Sequence, residues 1–229
     1  MKKLPLYSEL CYVCGLIMLS FSNACMARGD FGLSAVIVPS YLLHLKISQY
    51  FEWFTFGKAE YLVQGLLIIA LFIIARRFKF SYLFSFCTAL IYGALLDLMI
   101  YLVDFIPGEG FTWRLVFYIV GYIFNFVSVS LILKSYFRPC AYELFVKEIA
   151  LFSGKKLGTV KIIFDYSCML VSLILTFALF GFGHFEGIKW GTIITILING
   201  WLISFVIAFL DKHFEVKDLL GLRKFIEEH

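Results

Sequence analysis

Six long apolar stretches, parted by short turns, fill almost the whole of this 229-residue chain, and they restrict it to one kind of solvent. A helix needs roughly 20 apolar residues to cross about 30 Å of hydrocarbon, and its backbone groups must bond within the segment because no water is there to serve them. The stretches that meet this demand are Leu10–Ala27, Glu60–Ala75, Leu83–Val103, Leu115–Leu133, Val160–Phe182 and Trp190–Leu210. With 62% apolar residues, 16% charged residues and a mean hydropathy of +0.91, the chain lacks the polar material to clothe a soluble globule. The expected fold class is all-α, a polytopic transmembrane helical bundle of six spans. Leu33–Leu45 and Pro139–Leu151 are too short to cross and read as interfacial or re-entrant helices.

Lys2 and Lys3 ahead of Leu10–Ala27 resemble the start of a secretory leader, with Asn23, Ala24 and Ala27 near its end. Five further spans make a first transmembrane helix the better reading. Orientation follows from the cations. With the N-terminus in the cytoplasm, the inner side holds Lys2, Lys3, Arg76, Arg77, Lys79, Lys134, Arg138, Lys147, Lys155, Lys156, Lys161, Lys212, Lys217, Arg223 and Lys224. The outer side holds only Arg28, Lys46, Lys58, Arg114 and Lys189, a bias that places both termini on the cytoplasmic side of a bacterial cell membrane. The net charge of +4 then belongs to the face that meets anionic lipid, and it points to no nucleic acid. From Glu215 to His229, apolar residues alternate with acids and bases in the manner of an amphipathic cytoplasmic helix.

The halves of the chain echo each other. Cys87–Asp97 lies over Ile194–Ser204, matching Thr88 with Thr195, Gly93 with Gly200 and Asp97 with Ser204. Gly57 falls on Gly158 and Gln64 on Asp165, while Gly32-Leu33-Ser34-Ala35 faces Tyr136-Phe137-Arg138-Pro139. The division is a three-span unit over 1–110, a second over 111–212 and a tail over 213–229. Three crossings precede the second unit, so the two would be inverted, as in many transporters.

This order of span, glycine-bearing turn, short helix and two spans, repeated once and ending in GTIITILINGWLI at Gly191–Ile203, resembles the YitT/YczE-like bacterial membrane proteins over most of the chain. Members of the YczE branch carry a Gly-x-Ser/Gly-Pro-x-Asp turn in each half. This chain keeps Gly32 and Ser34 but has Ala35 and Ile37 at the Pro and Asp positions; the second half keeps Pro139 with Ala141 in place of Asp. The resemblance implies a transporter-like layout and no particular substrate.

Charge near the bilayer centre is costly, so polar residues inside spans mark a bundle interior or a wet path. The candidate substrate-binding residues are Asp97, Asn125, Asn199, Gly200, Asn23 and Asp165. Asp97 is either a buried acid coupled to a proton or cationic substrate, or an interfacial residue bonded to Tyr92 or Tyr101. Asp165 stands four residues after Lys161, the spacing of an ion pair along one helix face. The three asparagines suit either hydrogen bonds between helices or a substrate path. Gly200 beside Asn199 leaves room for the close approach of a helix or ligand.

Other polar features carry less. His44 sits beside Lys46 at the outer interface, and His184 and Glu186 lie in the turn GFGHFEG. Cys11 and Cys14 have redox or zinc spacing, but without a second Cys or His pair they read as packing residues, and no disulfide, metal or cofactor is expected. Trp53, Trp113 and Trp190 fit an aromatic belt. No Gly-x-Ser-x-Gly elbow, His-Glu-x-x-His helix or Walker loop is present, so the reading is not an enzyme. A small-molecule permease comes first. Its alternatives are the substrate-binding membrane subunit of a multicomponent importer, or an accessory or scaffold protein. Expected partners are membrane lipids, a small-molecule substrate, and a partner membrane protein or second copy.

Overall fold

Helices are what an apolar backbone must form in lipid, and the computed structural model is built of little else; it describes residues 4–76, 80–137, 140–181 and 187–218. In chain order come β1 (Leu4–Tyr7), α1 (Ser8–Gly29), α2 (Val38–Ile47), α3 (Phe56–Ala75), α4 (Phe80–Asp104), α5 (Phe111–Lys134), α6 (Ala141–Ser153), α7 (Leu157–Phe180), α8 (Trp190–His213) and β2 (Phe214–Lys217). All the helices but α2 and α6 are long and apolar enough to cross a membrane, and the protein is a multi-pass membrane helical bundle. Each expected span falls within one of these six helices, save that Gly181 follows the end of α7 and Phe182 lies outside the described residues. Large apolar side chains such as Leu197 and Trp201, 70% and 69% exposed, line the outside, where hydrocarbon takes the place of water.

The axis of the bundle is the antiparallel pair α1 and α5, brought together by small residues spaced seven apart. A methyl group on Gly15 would lie 3.2 Å from the Ser128 carbonyl oxygen, one on Gly121 2.8 Å from that of Ser22, and one on Gly29 2.9 Å from that of Arg114. Only hydrogen fits at these places, and helices whose backbones touch gain dispersion contacts that lipid cannot supply. α4 packs on α1 and α8 on α5, as third members of a layered group.

Two features depart from the sequence reading. Glu215 and its neighbours do not begin a helix: Phe214–Lys217 is a strand pairing in parallel with Leu4–Tyr7. The alternation of Phe214 and Val216 with Glu215 and Lys217 has the period of a strand, and β1 offers it a backbone partner. The pairing also puts both ends of the helical bundle's chain on one side, here termed the strand side. The second departure is that Asp97 bonds neither Tyr92 nor Tyr101 but the start of α3, as described below. Arg77, Lys79, Arg138, Pro139, His184, Glu186 and the tail from residue 219 onward lie outside the described residues.

The two short helices enter the bundle rather than lying on its surface. After α5 ends, Tyr136 accepts a place beside the first turn of α1, its N–H donating to Ser8 Oγ at 2.9 Å, and Phe137 stacks on Tyr12 with centroids 4.8 Å apart. Cys140 then shares a crevice with Leu19, eleven residues along α1 from Ser8 and so about 16 Å deeper. α6 therefore starts near mid-depth. On the opposite side Asp30 pairs with Arg114 at 2.5 Å and Phe31 meets Tyr118 at 5.9 Å, so the chain ahead of α2 is laid along α5 in the same way. Each short helix then packs on α3 and α7, and α6 meets α4 as well.

Candidate functional site

The place where α2 and α6 approach each other is occupied by a carboxylate. Glu60, one turn into α3, is 0% exposed. Its Oε1 receives the hydroxyl of Ser40, the third residue of α2. Its Oε2 accepts the Gln64 side-chain amide at 2.9 Å and the hydroxyl of Tyr142, the second residue of α6, at 3.0 Å. Gln64 in turn accepts the backbone N–H of Ala141 at 3.2 Å, one of the orphan donors of the first turn of α6. A backbone N–H can only donate, so this bond fixes the amide with its oxygen toward α6 and its nitrogen toward Glu60.

The result is a closed polar knot in which the first turns of two helices meet at one acid. Both N-termini carry partial positive charge, and both are directed at Glu60, which offsets part of the cost of burying an anion. Around the knot Ile37, Val38, Leu42, Phe56, Tyr92, Leu96 and Cys140 are buried in one apolar cluster. Among the described residues no Lys, Arg or His forms an ion pair with Glu60.

A second group of charges lies on α7. Lys161 Nζ and Asp165 Oδ1 are 2.9 Å apart along one helix face, and both are close enough to Glu143 of α6 to interact with it electrostatically. Phe145 packs on Phe164 at 5.4 Å, fixing this part of α7 against α6.

The residues singled out from sequence do not converge on one cavity. Asp97 accepts the Thr55 hydroxyl at 2.6 Å and the Gly57 N–H at 2.7 Å, capping the start of α3 from α4. Gly93 is what lets α4 come so near, since a methyl group there would meet the Gly57 carbonyl oxygen at 2.8 Å. Asn23, fully buried on α1, donates to the Tyr92 hydroxyl of α4 at 2.9 Å, and Tyr92 borders the Glu60 cluster. Asn125 and Asn199 meet across α5 and α8 at 3.5 Å. Asp165 has the ion pair its spacing foretells. Gly200 has open space where a side chain would be, with nothing within 4 Å, so no close approach occurs there.

Glu60, Ser40, Gln64 and Tyr142 escape the sequence reading. Glu60 stands at the edge of an apolar stretch, where an acid reads as interfacial. The available signal was the Glu60-to-Gln64 spacing of one helical turn together with Pro39 at the entry of an apolar segment too short to cross. The Gly32 turn and the Gly191-Thr192 entry to the last span, both noted as motifs, touch each other: Gly32 adopts φ +115 against Thr192, and the Gly191 N–H donates to Phe31 at 2.8 Å. That conformation admits glycine readily and other residues at a cost. The pair is a backbone contact that ties the turn after α1 to the start of α8.

A multi-pass bundle whose two short helices end on a buried acid is thus the class that fold and site define. The chain belongs to DUF6198, a family of unknown function, whose model matches residues 6–208. No curated protein and no solved structure matches it.

Proposed function

We propose that the protein is a small-molecule transporter of the bacterial cell membrane with both termini in the cytoplasm, built from two inverted halves and having no enzymatic activity. The observation that carries this reading is the meeting of α2 and α6, N-terminus toward N-terminus, at Glu60. Broken or short helices that end at mid-depth are the usual way to present binding groups to a substrate inside a membrane. Support for the two halves comes from packing: α1 to α4 and α5 to α8 share an order of long, short, long and long helices. The contacts of α2 with α7 and of α6 with α3 exchange under that correspondence. The order of span, glycine-bearing turn, short helix and two spans also resembles that of the YitT/YczE-like proteins. The cytoplasmic assignment rests on the uneven division of Lys and Arg along the sequence, fifteen of the twenty falling in the segments expected on the side of the N-terminus.

The test is uptake by proteoliposomes incubated with a metabolite extract. Wild-type protein should accumulate at least one class of small molecule above empty vesicles, and Tyr142→Phe, which removes one donor to Glu60, should slow that uptake. Vesicles that retain nothing above the empty control, with protein shown to be folded and inserted, would overturn the reading.

A further inference from the structure

A count of hydrogens at the polar knot leads beyond the transporter reading. Ser40 Oγ is in hydrogen-bond contact with two acceptors, the Ile37 carbonyl oxygen at 2.7 Å and Glu60 Oε1, yet a serine hydroxyl has a single hydrogen. If Glu60 is ionised, one of these two contacts has no hydrogen in it. If Glu60 carries a proton on Oε1, both of these contacts are served: Glu60 donates to Ser40, Ser40 donates to Ile37, and Oε2 still accepts from Gln64 and from Tyr142, whose hydroxyl also lies near Ser40. A buried polar contact left without its hydrogen costs roughly 1–3 kcal/mol, so the protonated acid is the state that this arrangement fits in full.

The ionised state is also provided for. Rotation of the Ser40 hydrogen from Ile37 to Oε1 would give the carboxylate three donors, with the positive ends of α2 and α6 beside it. The titratable groups that face Glu60 are Tyr92 on α4 and Cys140, Tyr142 and Glu143 at the start of α6, while α2 and α3 present Ser40 and Gln64. None of them is a cation that would hold the acid permanently charged. A metal ion or an ammonium group would need several free lone pairs, and here the side chains around Oε2 present hydrogens.

We infer that Glu60 is a reversible proton-binding site and that the ion coupled to transport is the proton. Binding forms an O–H bond at Oε1 with a proton from the aqueous phase and turns the Ser40 hydrogen toward Ile37. Release breaks that bond, returns the proton to water on the other side, and turns the Ser40 hydrogen back. The coupling rests on the transporter reading; the proton site does not.

The experiment is infrared titration of the full-length protein in lipid nanodiscs, with Glu60→Gln and Ser40→Ala. Wild type should show the carbonyl stretch of a protonated carboxyl group that is lost as pH rises and is missing in Glu60→Gln. Ser40→Ala should shift that band, because the acid loses the oxygen it donates to. Glu60→Gln should fold with a thermal midpoint no lower than wild type, since its amide can donate to Ser40 and accept from Gln64 and Tyr142 as the neutral acid does. Wild-type and Glu60→Gln spectra that coincide at every pH would overturn the proton site, as would a Ser40→Ala band that does not move. With a substrate in hand, wild-type uptake should respond to an imposed proton gradient and Glu60→Gln should lose that response; a gradient without effect on wild type overturns the coupling. Failure of the transporter reading looks different: no uptake at all, with the band intact.

Discussion

At the scale of single residues, Asp97 shows how a half-buried acid can be fully occupied by structure. Its two oxygens serve the Thr55 hydroxyl and the Gly57 N–H, and the Thr55 Oγ itself accepts the Lys58 N–H at 3.4 Å, so the first turn of α3 is capped by its own threonine and by a neighbour. Removing a helix cap costs about 0.5–2 kcal/mol. Asp97→Ala should therefore lower stability by about 1 kcal/mol, with Asp97→Asn losing less, since an amide oxygen still accepts one of the two bonds. Thermal unfolding in detergent reads this, and an Asp97→Ala protein as stable as wild type would remove the capping role. That Asp97 has polar company was legible in the sequence; its partners were not, because Thr55 and Gly57 lie some forty residues away across a helix pair. Glu60 was hidden for the opposite reason. Hydropathy assigns it to the rim of its span, and only the volume filled by α2 and α6 makes that rim an interior.

At the scale of elements, the six long helices were legible because lipid allows so few alternatives, and their short loops left little freedom in order. The depth of α2 and α6 was not. An apolar helix of that length buries as well on a membrane surface as within a bundle, and the choice is made by the paths along α1 and α5 that lead to their first turns. The glycines were visible but not distinguishable. Gly121 is pressed against Ser22 and Met26, whereas Gly200 faces open space, though both look alike in an apolar run. Forcing a large side chain into a close-packed seam costs typically 1–3 kcal/mol or more. Gly121→Leu should accordingly destabilise the protein by at least that amount, roughly, and shift its thermal midpoint down, while Gly200→Leu should leave the midpoint unchanged or slightly raised through better helix propensity. Equal losses from both would mean that α8 is packed against something over its outer face.

At the scale of the whole molecule, the two proposed units are joined by more than the α1 and α5 seam. α6, from the second unit, completes the environment of Glu60 in the first, through Tyr142 and Ala141; α2, from the first, packs on α7 of the second. Residues 1–110 alone would keep Glu60 but lose the Tyr142 hydroxyl, and Gln64 would lose the N–H it accepts, leaving polar atoms in hydrocarbon at roughly 1–3 kcal/mol each. The face of α1 that meets α5 would be bare as well, with Gly15, Ser22 and Gly29 offering lipid a groove that acyl chains fill poorly. A break after Gly110, at the end of the exposed turn between α4 and α5, cuts none of these contacts. The expectation is that residues 1–110 and 111–229, each expressed alone, are degraded or aggregate, whereas co-expression from a split gene yields a complex that copurifies and unfolds in one transition. A stable 1–110 fragment with native-like unfolding would show that each unit closes its own interior, and the crossed packing of α2 and α6 would then be an accessory to folding rather than its condition.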